Sequence, residues 1–598
     1  MGGMRIASIL LLAALVAQPA ATATHGSDDL LISDAMVFDG SGRDAFRADV
    51  LVRDGRIAQV GPQLRRPRGV TVVDAAGATL MPGLFDVHTH WTPAGKPAVL
   101  SEIANAYIAH GVTTVVDYHQ APEAYAPRRQ WLSRLATPDV RFVARVSTPL
   151  GHGADWADQA TTRWVNSPNA ARLAVAGIAP YKPDLVKVFT DGWRYGNVAD
   201  NTSMDAQTLA AVVEGAHAQG WKVVTHTVTI ERGLEAAAAG VDVIAHSLLD
   251  RPLEAADIAA LKAAGIALSP TLSVYEPVRM GDAPPQDPQS RTLRNRERNF
   301  GFALRNVKAL HDAGVPIALG TDAGMPGTPH GRATLHELQL LVRAGLTPAQ
   351  ALVVGTSASA ARLGLDDRGR IAPGLRADLV LVDGAPWQDI AQVDNIRQVW
   401  IAGRQVHGPG TILPAANAQR WPASQPIGAL IDDFERSDGR TALDTLRTDE
   451  ADGGNDRTVQ VTEVVAREDA GHALSVQARL SSKDNAYANV VLPLSRGSVL
   501  PVDLRRYSRL RLQVRGDAPA LQLEWRGTEG ARWRHPLAVD GRWREVVIDF
   551  KALEALPPFR GGGDARPWRG DDLQQLVIGS GGAPGETIWF ELDGLRLE

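Results

Sequence analysis

The sequence predicts a (β/α)8 barrel inserted into a composite β-sandwich and followed by an all-β jelly-roll domain. Three observations predict it. Residues 83–360 hold eight short apolar strands, mostly separated by helical patterns, as parallel barrel strands with helical crossovers require. Strand-rich segments at 27–82 and 361–408 flank that stretch, and neither has enough strands to bury its own apolar faces. After a Pro- and Ala-rich linker at 409–426, residues 427–598 read as short strands throughout. A chain of 598 residues is too long for one core, so three folding units fit its length. Its net charge of −5 argues against nucleic acid as a partner. Cysteine is absent, which removes disulfides and thiolate chemistry and leaves only nitrogen and oxygen to hold a metal.

Taken in order, residues 1–23 are a targeting segment rather than structure. Arg5 precedes an apolar run at 9–17 that is too short to span a membrane comfortably, and Ala21-Thr-Ala23 is a small-X-small cleavage site. The expectation is a cleaved signal peptide, a periplasmic or secreted protein, and no stable membrane span after cleavage; the alternative is an uncleaved N-terminal anchor. In the first flank, β-formers fill 30–38 and 50–60, with Asp54-Gly55 as a hairpin turn. The second flank supplies 377–384 and 399–406. Between them, strands are expected at 84–88, 112–116, 140–146, 185–189, 222–225, 241–245, 266–268 and 316–319. The first barrel helix carries Val99, Ile103, Ala106 and Tyr107. The last long one carries an apolar stripe of Leu293, Phe300, Leu304, Val307 and Leu310. In the C-terminal domain the expected strands include 510–514, 521–525, 546–550, 576–578 and 588–592.

In such barrels the chemistry collects at the C-terminal strand ends. The first strand runs through Met81-Pro-Gly-Leu-Phe-Asp-Val-His-Thr-His90, and residues at i and i+2 of an extended segment point the same way. His88 and His90 can therefore face one metal, although a pair of exposed loop histidines would read the same. Strand five ends at His226, strand six at His246 and strand eight at Asp322, while Lys187 sits inside strand four. A lysine facing a barrel interior is costly unless paired or neutral, and a neutral amine can add CO2 to give a carbamate with two ligand oxygens. Alternation with Val186 and Val188 also allows Lys187 to face the helix layer and reach solvent.

These motifs resemble the amidohydrolase superfamily of metal-dependent hydrolases, especially its imidazolonepropionase- and prolidase-like branch. The resemblance rests on Pro82 to His90, Val186-Lys-Val-Phe189, Val224-Thr-His226, Ile244-Ala-His246 and Leu319-Gly-Thr-Asp322. It is completed by the return to the sandwich at Ala372-Pro-Gly-Leu-Arg-Ala-Asp-Leu-Val-Leu-Val382. It implies two divalent metal ions, most often zinc. His88, His90 and Asp322 would hold one and His226 and His246 the other, bridged by N6-carboxylysine at Lys187 and a hydroxide. Asp322 would be the general base, and an amide C–N bond the target. Two positions depart from related sequences: Ala245 stands where Glu is common before the strand-six histidine, and Val228 where a second strand-five histidine is common. Both weaken the transfer of a particular substrate.

For the substrate pocket, Tyr275 after strand seven, His152 after strand three and His330 after strand eight are candidates, with Arg194 and Arg279 as carboxylate partners. The substrate expected is a small-molecule amide: a dipeptide, an N-acyl amino acid or a cyclic amide. The alternatives are a mononuclear deaminase or imidazolone-type hydrolase, and a non-catalytic glycan-binding protein. The C-terminal domain resembles galactose-binding-type jelly rolls, nearest those of complex I intermediate-associated proteins, through Ile431-Asp-Asp-Phe434, the segment from Trp543 to Phe550 and Trp589-Phe-Glu-Leu-Asp-Gly594. That resemblance implies a glycan as its partner, with Trp525, Trp533 and Trp568 available for ring stacking or for core packing. Composition and motifs leave oligomeric state open.

Overall fold

Two stretches of chain, separated by the whole barrel, complete one sheet. The computed structural model describes residues 29–91, 100–154, 161–190, 202–283, 287, 289–454, 456–469, 471–558 and 563–598. The expected signal segment, Val99 and Arg194 lie outside the described residues. In the first flank Leu30–Val37 pairs antiparallel with Phe46–Arg53, which pairs with Arg56–Gly61 across the Asp54-Gly55 turn. Both turn residues have positive φ, 49° and 72°, as the tight hairpin turn matched to strand twist requires. The join is Thr79–Pro82, which pairs antiparallel with Leu379–Val382 from the second flank. The eight-stranded sheet so formed encloses a core that includes Ile32, Val50, Leu80, Leu379, Leu381 and Trp400. Neither flank could bury these side chains alone.

The barrel sheet runs in parallel order through Leu84–Thr89, Val112–Asp117, Asp139–Ser147, Leu185–Phe189, Lys222–His226, Val243–Ala245 and Ala267–Ser269. Residues 316–323 take the eighth position through single parallel bridges, Leu268 to Ile317 and Thr89 to Ala323, rather than through a full ladder. Ala318 N–H donates to Leu268 O at 2.9 Å and Val87 N–H to Leu319 O at 2.8 Å, so this segment closes the barrel on both sides. The crossing is tight. A Cβ on Gly320 would lie 2.4 Å from Ser269 Oγ and 2.8 Å from His88 Cβ, so only glycine lets strand eight pass the first histidine.

The expected apolar stripe becomes a 22-residue helix, Arg291–Asp312, capped by Ser290 and burying Leu293, Phe300, Val307 and Leu310. Two helices that the sequence reading omitted also cover the barrel, Pro168–Ile178 and Arg332–Arg343. Among the described residues no helix is long and apolar enough to cross a membrane.

Residues 427–598, with Gln425–Pro426 as an edge strand, fold into an eight-stranded and a six-stranded sheet around a shared core. The strands include Arg509–Gly516, Gln522–Gly527, Arg544–Asp549, Leu573–Gly581 and Thr587–Leu597, each expected, and Val459–Ala466, His472–Arg479 and Tyr487–Pro493, which were not. Trp525 and Trp533 are fully buried, and Trp568 packs edge-on against both at 6.0 and 5.2 Å. Core packing, not ring stacking on a ligand, is the fate of Trp525 and Trp533, and Trp568 packs half-buried against them. The connecting segment is tied down: Asn417 accepts from Ala136 N–H at 2.8 Å and donates to Ala136 O at 2.9 Å and Asn105 Oδ1 at 2.8 Å. Arg440 forms a two-pronged pair with Glu123 at 3.2 and 2.7 Å, which also fixes the sandwich to the barrel.

Candidate metal centre

The strand ends bring together every side chain expected at the centre. His88 lies in the first strand and His90 just past it; Lys187, His226 and His246 come from strands four, five and six, and Asp322 from the eighth position. All six are buried and line one cavity of about 780 Å3. Asp322 Oδ1 sits 2.9 Å from His90 Nε2 and 3.4 Å from His88 Nε2, and Lys187 Nζ sits 3.4 Å from His88 Nε2. Ring centroids of His88 and His246 are 4.8 Å apart, and those of His226 and His246 4.4 Å. One ligand atom each from His88, His246 and Asp322 falls within 4.8 Å of the others.

Burial and mutual repulsion set the charge states. Burial first, then Lys187, His90 and His226, holds His88 well below the usual histidine range; burial first, then His226 and His88, does the same to His246. Neutral imidazoles are the form that binds a metal. Burial pushes Lys187 down to about 7, with Asp322 opposing and Arg145 assisting. Burial alone would raise Asp322, but the charge and hydrogen bonding of His90, with Lys187 and His226, hold it below the ordinary carboxylate value. His88 Nδ1 and His90 Nδ1 are buried without a hydrogen-bond partner among the described residues. Nitrogen and oxygen donors converging in this way, with the His88 and His246 imidazoles neutral, fit a divalent metal.

Several residues that support the centre escaped the sequence reading. Tyr118 stacks on His88 at 4.1 Å, and His119 meets His90 edge-on at 5.7 Å. Both follow strand two directly, and the rule that barrel chemistry gathers at strand ends is the signal that could have found them. Asp86, beneath His88, accepts from Thr321 Oγ1 at 2.7 Å and Thr334 Oγ1 at 2.9 Å. Burial pushes this carboxyl up to about 7 against those bonds. After strand seven, Thr271 Oγ1 lies 2.8 Å from His246 Nδ1. The next two amides, Leu272 and Ser273, donate to Glu337 at 2.6 and 2.8 Å. His246, Thr271 and Asp322 all have positive φ, 96°, 45° and 61°, a conformation non-glycine residues hold only where the surroundings enforce it.

The expected substrate residues separate. Tyr275 reaches the cavity, its ring 5.6 Å from His246, and His152 packs 4.0 Å from His226. Arg279 lines the cavity and pairs with Asp282 at 3.2 Å. His330 does not line it: its Nδ1 lies 2.9 Å from the Tyr107 hydroxyl, because the turn after strand eight directs it toward the first helix and away from the mouth.

The chain matches the amidohydrolase family model over residues 79–406. It is similar to an imidazolonepropionase from Deinococcus deserti, with 28% identity over 60% of this chain and 92% of that one. It is also similar to adenine deaminase 2 of Rhizobium meliloti, with 31% identity over 65% of this chain and 58% of the other. Among solved structures, a putative prolidase from Bifidobacterium longum superimposes with a TM-score of 0.55 at 26% identity, covering 64% of this chain and 96% of that one. The fold, the buried cluster of nitrogen and oxygen donors at its strand ends and these matches place the chain in the amidohydrolase family, metal-dependent hydrolases of carbon–nitrogen bonds.

Proposed function

We propose that this is an exported hydrolase that cleaves the amide bond of a dipeptide or N-acyl amino acid at a two-metal centre. The observation that carries the reading is Lys187, buried in the middle of strand four with its Nζ 3.4 Å from His88 Nε2. An amine held near neutrality at this point suits carbamylation, and an N6-carboxylysine at Lys187 would provide two oxygens between His88, His90 and Asp322 on one side and His226 and His246 on the other. When bound, divalent metal ions, zinc for choice, would lower the pKa of a water and polarise the scissile carbonyl. The Asp322 carboxylate, buried yet kept ionised, takes the proton of the attacking water and returns it to the leaving nitrogen. Tyr275 orients the substrate at the mouth, and the buried walls keep bulk water from the carbonyl. The products are a carboxylate and an amine.

Charge at the mouth favours an acyclic substrate with a carboxylate over a neutral cyclic amide. Arg279 (held by Asp282), Arg291 and Arg296 line the cavity, and its two lining acids are engaged, Glu276 by His336 at 2.5 Å and Asp322 by His90. The mononuclear deaminase reading makes no use of Lys187. Export is supported by the composition of residues 1–23.

Metal content per chain of protein purified without chelator tests the centre. Two equivalents, together with turnover of N-acyl amino acids that drops on Asp322→Asn by about 10²–10⁴-fold, is the expected result. One equivalent with activity only on heterocyclic amidines would overturn it.

A further inference from the structure

We infer that Glu337 and Thr271 form a positioning relay for His246. The relay rests on the reading of His246 as a metal ligand, and it explains how a short, strained turn can aim that imidazole. Strand seven, Ala267–Ser269, is followed by Pro270 and then Thr271 at φ 45° and ψ 49°. A β-branched residue in the left-handed region relaxes to an extended form unless its neighbours prevent it. Here the prevention comes from the helix Arg332–Arg343, which projects Glu337 into the turn with no solvent exposure. One Glu337 oxygen accepts from Leu272 N–H at 2.6 Å and the other from Ser273 N–H at 2.8 Å. Ser273 Oγ in turn donates to Thr321 O at 3.0 Å, which joins the turn to the residue before Asp322.

With the two following amides held, Thr271 has one place to be, and its Oγ1 meets His246 Nδ1 at 2.8 Å. An imidazole bonded at one nitrogen is fixed in tautomer and ring direction, and its other nitrogen is then aimed at the metal. For His246 that other nitrogen is Nε2, on a ring packed among those of His88 and His226. Four residues on, the same turn delivers Tyr275 to the cavity. Glu337 is therefore a positioning residue: a carboxylate with both oxygens bonded to consecutive amides sets a ligand's direction through Thr271. A glutamate serving only to stabilise the helix layer would need no such bonds to the turn.

The test is zinc affinity of the full chain, measured by competition against a coloured zinc chelator, for wild type, Glu337→Gln, Thr271→Val, Thr271→Ser and the Glu337→Gln/Thr271→Val double variant. Gln keeps the size of Glu337 but presents an NH2 to one of the two amides. Val keeps the shape of Thr271 without its hydroxyl. The expected result is a loss of about 10–100-fold in zinc affinity for Glu337→Gln and for Thr271→Val. Thr271→Ser should stay near wild type, and the double variant should bind no more weakly than Thr271→Val alone, because both changes act through one bond. The kcat of both single variants falls with KM little changed. Wild-type affinity in Glu337→Gln and Thr271→Val, or losses that add in the double variant, would overturn the relay. If Glu337→Gln does not fold, Thr271→Val against Thr271→Ser decides the case, with equal affinities sinking it. A wild-type chain that takes up no zinc sinks the metal reading and the relay with it. A loaded wild type with unaffected variants sinks the relay alone.

Discussion

Replacing Glu337 by Gln should make the stability of the barrel fall less between acid and alkaline pH even as it loosens the metal centre. Burial pushes the Glu337 carboxyl from its ordinary 4.5 up to about 7, against the hydrogen bonds from Ser273 and Leu272 that favour its charged form. The folded value is the higher one. The contribution of this group is therefore complete below pH 4.5, where both folded and unfolded chains hold the proton, and is lost as pH rises through 7. A shift of roughly 2.5 units at 1.36 kcal/mol per unit amounts to about 3 kcal/mol over that range. Gln does not titrate, so the variant keeps what the wild type loses. The assay is equilibrium urea unfolding of chelator-treated protein, wild type and variant, at pH 5 and pH 8. The quantity of interest is the change in their difference between the two conditions, expected to favour the variant by about 2–3 kcal/mol at pH 8 relative to pH 5. A difference that stays constant, or that moves toward the wild type at pH 8, would refute the reasoning. It would mean that two bonds to consecutive amides outweigh the cost of burying the charge.

Other perturbations test separate parts of the molecule. Lys187→Met removes the buried amine for a side chain of similar length, and metal content per chain should fall from two equivalents to one or fewer while the circular dichroism spectrum is kept. Retention of both metals would exclude a bridging carboxylysine. Gly324→Ala would place a Cβ 2.0 Å from His90 O at a φ of +97°, so it should cost about 3 kcal/mol or more, read as a lowered thermal midpoint. A variant as stable as wild type would show that the turn beyond Asp322 can move. Asn417→Ala leaves Ala136 N–H and C=O buried without partners, at about 1–3 kcal/mol each. Limited proteolysis should then cut first between barrel and sandwich, and an unchanged cleavage pattern would mean that the Arg440–Glu123 pair holds the units together on its own.

The sequence carried the architecture because the barrel's periods are local. Strand–helix alternation, the Asp54-Gly55 turn and the Leu293 to Leu310 stripe each declare themselves within a few residues. The positions of His88, His90, Lys187, His226, His246 and Asp322 were legible for a related reason: each ends, follows or interrupts an apolar run that has a place in the strand order. What supports them was not legible. Glu337 lies in a helix the sequence reading passed over, 66 residues after the Thr271 turn it holds, and nothing near it in the chain marks it as buried. Tyr118 and His119 stand at a strand end as plainly as His226 does, but the reading followed only the ligand pattern. His330 failed in the opposite direction: its loop is at the right end of the barrel, but the turn after Asp322 directs it to Tyr107. The tryptophans of the C-terminal domain show the limit of composition, since stacking on a sugar and stacking in a core use the same residue types.

The ends of strands six, seven and eight share a physical device that accounts for much of this. His246, Thr271 and Asp322 all sit at positive φ, and two fully buried carboxylates, Asp86 and Glu337, hold the backbone around them. A strained turn and a buried charge are each unfavourable in isolation, of order 1–3 kcal/mol for the backbone conformation alone. Together they are consistent, because the charge is bonded to the very amides and hydroxyls that would otherwise be free to relax. Selection for stability alone would remove both: extended strand ends and apolar residues at 86 and 337 would fold more easily. Their presence at the mouth where six metal-type side chains converge is what a site pre-organised at the expense of stability would leave behind. This is why Glu337→Gln is expected to lower zinc affinity while reducing the stability lost between pH 5 and pH 8, a pattern that ordinary core damage does not produce.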